Sequence, residues 1–241
     1  MSRPAASGEA PGIVVFDLDG TLIDGYAAIG IALAYATERL GVARVPDERV
    51  RGMVGDGLEL LLEKAVGPDL AGEGVRLYRE KYPEVAVEES ELLPGVPAVL
   101  ETLARSGWRL AVASNKPAAY SRLILEAKGI AGRFDVIGGP DALVPPKPHP
   151  AMLAAILAAT SFRPDDAFVV GDMEIDAQFA RAAGCRVALV PGGSRTAEEL
   201  ATVDADALLP SLLALPAWLA RERAARPAAA AAARALESPP R

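Results

Sequence analysis

The chain has 241 residues, 51% of them hydrophobic and 24% charged, a globular balance that excludes a wholly disordered protein. Its 32 acidic and 25 basic residues give a formal net charge of −7, which disfavours nucleic acid or an anionic membrane as a partner. The single cysteine, Cys185, allows no intrachain disulfide, and no apolar run approaches the roughly 20 residues that span a bilayer. These features predict a cytoplasmic protein.

Short apolar runs alternate with helical patterns along most of the chain. The runs are Ile13–Phe16, Leu110–Ala113, Ala167–Val170 and Val187–Val190. They do not alternate with polar residues, so we expect both faces to be buried, as in a parallel sheet covered by helices. The succession predicts an α/β fold with a doubly wound parallel sheet.

Three amphipathic helices are predicted between these strands, each followed by a glycine. Their apolar faces are Val96, Val99, Leu100 and Leu103; Leu123, Ile124 and Ala127; and Ala177, Ala180 and Ala183.

From Tyr26 to Tyr82 the pattern is helical and contains no convincing strand. An insertion directly after the first strand is expected to form a small second domain over the carboxyl edge of the sheet, where ligands bind in open α/β folds. The predicted division is a flexible N-terminal tail over 1–11, an α/β core over 12–24 and 91–220, a helical cap over 25–90, and an Ala- and Pro-rich C-terminal tail over 221–241.

Polar side chains follow three of the predicted strands, and a lysine stands in a proline-stiffened loop between the second and third of these groups. Taken one by one, such residues are ordinary turn or helix-cap residues. The set is Asp17 and Asp19, Ser114 and Asn115, Lys147, and Asp172 with Asp176.

In order and context, these motifs resemble those of the haloacid dehalogenase superfamily, whose members are mostly phosphatases. The matching residues are Asp17-Leu18-Asp19-Gly20-Thr21, Ser114, Lys147, and Asp172 with Asp176. The helical insertion looks like the small cap of that family, and Met53-Val54-Gly55-Asp56-Gly57 is similar to its phosphoglycolate phosphatase branch. The sequence departs from the family pattern at Met173, where relatives commonly carry Ser.

The resemblance implies an enzyme that hydrolyses phosphate monoesters through an aspartyl-phosphate, with Mg²⁺ as its cofactor. It implies Asp17 as the nucleophile, Asp19 as the general acid and base, and Lys147 as a catalytic group that balances charge. The implied metal ligands are Asp17, Asp172, the backbone carbonyl of Asp19, and Asp176 as an auxiliary acid. The implied substrate-binding residues are Ser114, Asn115 and Thr21 in the core, and Arg51, Gly55 and Asp56 in the cap.

The expected partner is a small phosphorylated metabolite, with 2-phosphoglycolate as the first candidate, and the expected state is a monomer or homodimer. Two alternatives stay open: a sugar-phosphate mutase similar to β-phosphoglucomutase, and a non-catalytic regulator that binds a phosphometabolite. The pair Asp17 and Asp19 favours an enzyme over the regulator, because the second carboxylate supplies the acid and base that hydrolysis needs. Lys147 with the paired acids suits phosphate and metal better than dehalogenation.

Overall fold

The computed structural model describes residues 10–141 and 145–225. The strands in chain order are β1 (Ile13–Phe16), β2 (Ile23–Asp24), β3 (Glu91–Leu92), β4 (Arg109–Ala113), β5 (Val136–Gly138), β6 (Ala167–Gly171), β7 (Arg186–Leu189) and β8 (Ala207–Leu208). The helices are α1 (Tyr26–Arg39), α2 (Asp47–Met53), α3 (Leu58–Val66), α4 (Pro68–Val85), α5 (Val96–Arg105), α6 (Ala118–Ala127), α7 (Ala151–Thr160), α8 (Glu174–Ala182) and α9 (Ala197–Leu200). Residues 215–225 are also helical.

Six strands form one parallel sheet in the order β5-β4-β1-β6-β7-β8. The predicted doubly wound α/β core is therefore confirmed, and each of the four predicted strands is present within one residue of its expected bounds. Strands β5 and β8 were not predicted, because runs of three and two residues are too short to show a period.

Both faces of the sheet are buried, as the non-alternating strands predicted. In β1, Val14 and Phe16 belong to one apolar cluster and Ile13 and Val15 to the other. The first cluster contains α5, α6 and the helix over 215–225, and the second contains α7 and α8. The two faces of β1 thus pack into different apolar clusters, and helices cover both faces of the sheet.

One predicted apolar face is wrong in detail. Leu123 of α6 is exposed, and the residues of that helix that reach the core are Ile124 and Leu125. The buried face of α6 consists of Ala118, Ser121, Ile124 and Leu125, and it is therefore shifted by one position from the predicted face.

The helical insertion is present as α1 to α4, and α4 packs against both α1 and α3. We call residues 26–85 the cap. The chain enters the cap through β2 and leaves it through β3, and these two strands pair antiparallel, Ile23 with Leu92 and Asp24 with Glu91. The two connections are thereby held side by side at the edge of the core.

Parts of both predicted tails lie outside the described residues, namely 1–9 and 226–241. Within the C-terminal segment, the helix continues past residue 220, and Glu222 pairs with Arg186 of β7 at 2.6 Å. In residues 10–141 and 145–225, no helix has both the length and the apolar character to cross a bilayer. The cytoplasmic location and the monomeric or homodimeric state stay predictions.

Candidate active site

The ends of three adjacent strands bring the predicted polar residues together. In register, Phe16 of β1 pairs with Val112 of β4 on one side and with Val170 of β6 on the other. Asp17 therefore leaves the sheet between the chains that continue to Ser114 and to Asp172. Its N–H still donates to Val170 O at 2.8 Å, so the nucleophile candidate is held by the last hydrogen bond of the sheet.

Lys147 lies among the acids although it comes from a loop. Its side chain is 3% exposed, and Nζ donates to Asp17 Oδ1 and to Asp176 Oδ1, each at 2.7 Å. Asn115 holds the loop in place: its Oδ1 accepts the Lys147 N–H at 2.8 Å, and its Nδ2 donates to Lys147 O at 3.1 Å. Hydrogen bonds thus fix both the backbone and the ammonium group of Lys147.

Three carboxylates form a cluster that suits a metal ion. One oxygen each of Asp17, Asp172 and Asp176 lies within 4.8 Å of the others, and all three residues are buried. Gly20 and Gly193 pack against the Asp172 carboxylate so closely that a Cβ at either position would collide with it. The backbone N–H of Ser194 donates to Asp172 Oδ2, which orients that oxygen.

A second buried ion pair adjoins this cluster. Lys116 Nζ lies 3.0 Å from Asp19 Oδ2 and donates to the hydroxyl of Tyr82, on α4, at 2.6 Å. Lys116 was not among the predicted site residues. Its position directly after Ser114 and Asn115, at a strand end, was the one signal that could have pointed to it.

The electrostatics of these groups favour an added cation. Burial raises the pKa of the Asp172 carboxyl well above its usual value, and the charges of Asp17 and Asp176 raise it further. Burial also raises the pKa of Asp176 to about 6, against the opposing effect of Lys147. For Lys147, burial alone would lower the pKa, but Asp17 and Asp176 outweigh it and hold that pKa above its ordinary value.

Four buried carboxylates face two buried ammonium groups, which leaves two uncompensated negative charges when all are ionised. The donors are carboxylate oxygens, the hard ligands that Mg²⁺ prefers. The residues present therefore fit a divalent cation in both charge and chemistry.

A pocket opens between the strand ends and the cap and encloses about 650 Å³ of empty space, its open mouth included. The core contributes the polar residues Asp17, Asp19, Ser114, Asn115, Lys116 and Lys147. The cap contributes Ile29, Val54, Gly55, Gly57, Leu58, Leu61, Tyr78 and Tyr82. We call the first set the floor and the second the cap wall. No cap-wall residue carries a charged side chain.

Two of the residues expected to bind substrate point elsewhere. Arg51 donates to Asp24 Oδ2 and to Gly193 O, each at 3.1 Å, and Asp56 pairs with Lys64 at 2.6 Å. Neither Arg51 nor Asp56 lines the pocket: Arg51 bridges the cap to Asp24 and Gly193, and Asp56 pairs with Lys64 within the cap.

The remaining expected substrate residues lie at or beside the floor. Gly55 lines the pocket, and its carbonyl accepts from Asn115 Nδ2 at 2.9 Å, so the Asn115 amide links cap and core. Thr21 contacts Asp172 Oδ1 at 3.5 Å rather than lining the pocket. Ser114 lines it with its buried hydroxyl.

Met173 makes a contact for which a serine would be too short. Its side chain lies in the pocket lining and is 5% exposed. A Cβ at Gly55 would lie 2.5 Å from Met173 Sδ, so the thioether packs directly on the cap. The residue that departs from the family pattern is therefore a cap–core contact, and α8 still begins after it with Asp176 Oδ2 accepting the Met173 N–H.

The chain matches the family model described as haloacid dehalogenase-like hydrolase over residues 14–190. It belongs to this family. A phosphoglycolate phosphatase from Nitrosospira multiformis is 34% identical over 207 residues, which cover 83% of this chain and 91% of that relative.

Solved structures of haloacid dehalogenase-like proteins share the fold. A predicted phosphoglycolate phosphatase from Haemophilus somnus superposes with a TM-score of 0.80 at 27% identity, covering 86% of this chain and 98% of that chain. CbbY from Rhodobacter sphaeroides, solved in complex with phosphate, superposes with a TM-score of 0.72 at 27% identity, covering 83% and 94%. The predicted superfamily, its phosphoglycolate phosphatase-like branch and the assignment as a phosphatase-like enzyme are confirmed.

Proposed function

We propose that this haloacid dehalogenase-like hydrolase is a divalent-metal-dependent phosphomonoesterase that forms an aspartyl-phosphate on Asp17. The observation that carries the proposal is the position of Asp17. It lies at the central strand end, lines the pocket, pairs with Lys147, and shares the acidic cluster with Asp172 and Asp176. A nucleophile for an anionic ester needs this combination of access and charge compensation.

Asp17 and Asp172 would hold Mg²⁺ through side-chain oxygens, Asp19 through its backbone carbonyl as the resemblance implies, and Asp176 as an auxiliary acid. When bound, the ion supplies positive charge that offsets the repulsion between the carboxylate and the phosphate and stabilises charge on the transferring group. The oxygen donors and the two uncompensated charges support this choice of cofactor.

The chain's own residues account for both halves of the reaction. A carboxylate oxygen of Asp17 attacks phosphorus, the bond from phosphorus to the alcohol oxygen breaks, and Asp19 gives its proton to that oxygen. Asp19 then takes a proton from the water that attacks the aspartyl-phosphate, which releases phosphate and restores Asp17. Ser114 and Lys147 offer a hydroxyl and an ammonium group to the phosphoryl oxygens.

We propose 2-phosphoglycolate as the first substrate to test. The names of the relatives support it, as does the similarity of Gly55-Asp56-Gly57 to that branch. The net charge of −7 further supports a small metabolite rather than nucleic acid or a membrane as the partner.

The test is a panel of phosphate monoesters assayed for released phosphate with and without Mg²⁺. We expect release to require the metal, and 2-phosphoglycolate to have a kcat/KM at least about tenfold above unrelated esters. Equal kcat/KM for all esters would refute the substrate and leave the phosphatase. Interconversion of a hexose 1-phosphate without free phosphate would instead identify the sugar-phosphate mutase.

A further inference from the structure

Lys116 is a buried cation to which the reaction described above gives no role. It stands in the turn between β4 and α6, its side chain is 6% exposed, and it lines the pocket. A lysine is almost never buried to this degree without specific partners. Its two partners are Asp19 in the core and Tyr82 in the cap.

Lys116 is what fixes the carboxylate of Asp19. The pair at 3.0 Å between Lys116 Nζ and Asp19 Oδ2 is the one polar contact of that side chain within residues 10–141 and 145–225. The other oxygen, Oδ1, is buried without a hydrogen-bond partner among them and faces the backbone of Gly25, where a Cβ would lie 2.6 Å away. Without the ammonium group, no hydrogen bond would hold the carboxylate at one angle.

Tyr82 in turn fixes Lys116. Its hydroxyl accepts from Lys116 Nζ at 2.6 Å, and the residue is 1% exposed. The ring is stacked on Tyr78 at 5.1 Å and tilted against Tyr120 at 5.0 Å, so it has little freedom to move. Because Tyr82 belongs to α4, this chain of contacts runs from the cap to the carboxylate that transfers protons.

We propose that Lys116 is a positioning residue that holds Asp19 for proton transfer to the leaving alcohol, and that Tyr82 of the cap holds Lys116 in that place. The inference rests on the proposed phosphatase function and adds two residues to it. A displacement of about 1 Å at a reacting group costs on the order of 100-fold in rate, which sets the size of the expected effect.

The test compares two leaving groups. An alkyl alcohol needs a proton as it leaves, whereas p-nitrophenolate is a stable anion and leaves with little help from an acid. We therefore measure kcat/KM, which reports the step that releases the alcohol, for p-nitrophenyl phosphate and for the best alkyl ester of the panel. A change in charge or in phosphate binding lowers kcat/KM for both esters together. A misplaced Asp19 lowers kcat/KM only for the alkyl ester.

In Lys116→Met, kcat/KM for the alkyl ester is expected to fall about 100-fold further than for p-nitrophenyl phosphate. Tyr82→Phe keeps the ring and loses only the hydroxyl. In this variant we expect kcat/KM for the alkyl ester to fall about fivefold more than kcat/KM for p-nitrophenyl phosphate. Tyr35→Phe is the matched control, because it removes a cap hydroxyl that contacts Glu80 on the surface. Tyr35→Phe should leave the ratio of kcat/KM for the alkyl ester to that for p-nitrophenyl phosphate unchanged.

Equal losses on both esters in Lys116→Met would overturn the positioning role, and a wild-type ratio in Tyr82→Phe would overturn the role of the cap. If Lys116→Met does not fold, judged by its thermal unfolding, Tyr82→Phe decides the proposal. A wild-type enzyme that releases phosphate from no ester refutes the proposed function and this inference together. An active wild-type enzyme whose ratio the variants do not change refutes this inference alone.

Discussion

The floor and the cap wall of the pocket are built on different principles. The floor contains two buried carboxylates, two lysines, a serine and an asparagine, and the buried carboxylates of Asp172 and Asp176 lie beside it, whereas the cap wall contains aliphatic side chains, glycines and two tyrosines. The floor is held by charged hydrogen bonds of 2.7 Å, and the cap wall by apolar packing among α1, α3 and α4.

This difference separates chemistry from selection. A charged group at a strand end has its backbone fixed by the sheet on both sides, so its distance to a reacting atom varies little. A cap wall without charged side chains selects the part of the alcohol that it contacts by size and shape, so a charged group of the alcohol would have to meet the lysines of the floor. The cap wall contributes to the reaction where one of its hydroxyls, that of Tyr82, reaches the floor. Substitutions in the two regions should therefore have effects of different kind and size.

The largest effect is expected at the centre of the floor. Asp17→Asn removes the nucleophile, and kcat should fall by at least about 10⁴-fold for every ester, with no change in preference among them. Because the substitution also removes a charge from the acidic cluster, the metal-free thermal midpoint should not fall. Asp204→Asn is the control, since Asp204 is 86% exposed on the side chain. Turnover in Asp17→Asn comparable with that control would remove Asp17 from the mechanism.

The second effect concerns the metal. Asp172→Asn deletes one of the three clustered carboxylates, and we expect the Mg²⁺ concentration for half-maximal activity to rise about 10- to 100-fold. Mg²⁺ should raise the unfolding temperature of the wild type, and the same concentration should do so much less in the variant. If Mg²⁺ raised the unfolding temperature equally in the wild type and in Asp172→Asn, the ion would bind elsewhere.

A pH dependence follows from the same carboxylates in the metal-free protein. Burial raises the pKa of Asp176 to about 6 and that of Asp172 above its usual value, so the folded state keeps protons that the unfolded chain has released. Protonation of the two carboxyls therefore stabilises the folded state fully below about pH 4, and the contribution of Asp176 is lost as the pH rises through about 6. Metal competes with those protons, so Mg²⁺ should raise the unfolding temperature more at about pH 7.5 than at about pH 5. A rise in unfolding temperature with Mg²⁺ that is the same at both pH values would contradict this account.

The contrast also explains what the sequence could predict. The proximity of Asp17 and Asp172 could be predicted because each follows an apolar run, and the ends of parallel strands meet at one edge of the sheet. Lys147 was found only through its resemblance to a family motif, since nothing local shows that its loop returns to the floor. Lys116 was missed because its role depends on Tyr82, which lies 34 residues away in another layer.

For Arg51 and Asp56, the direction of the side chain could not be predicted from the sequence. Asp56 belongs to the segment that resembles the phosphoglycolate phosphatase branch, and Arg51 lies just before it, but which side of a short helix or turn faces the pocket depends on how four helices pack. That packing is set by apolar contacts whose pattern allows several arrangements, so the direction of a single charged side chain does not follow from it.

An intermediate effect is expected in the cap wall. Leu61→Ala enlarges the pocket, and should change the ratio of kcat/KM between a bulky and a small ester by about tenfold. The change should appear mainly in KM, because no group that transfers charge or protons is moved. Leu60→Ala is the matched control: the residue is adjacent, 45% exposed and outside the pocket lining. The same ester profile in both variants would mean that Leu61 does not contact the alcohol.

The smallest effect is expected on the outside of the cap. Asp56 and Lys64 form a pair whose side chains are 40% and 42% exposed, and a pair so exposed contributes less than about 1 kcal/mol to stability. Asp56→Asn and Lys64→Gln should each leave kcat/KM for 2-phosphoglycolate within about twofold of wild type, since neither side chain lines the pocket. A tenfold loss in Asp56→Asn without one in Lys64→Gln would put the substrate in contact with Asp56 itself. The selecting surface would then include a charged residue, and size and shape alone would no longer describe it.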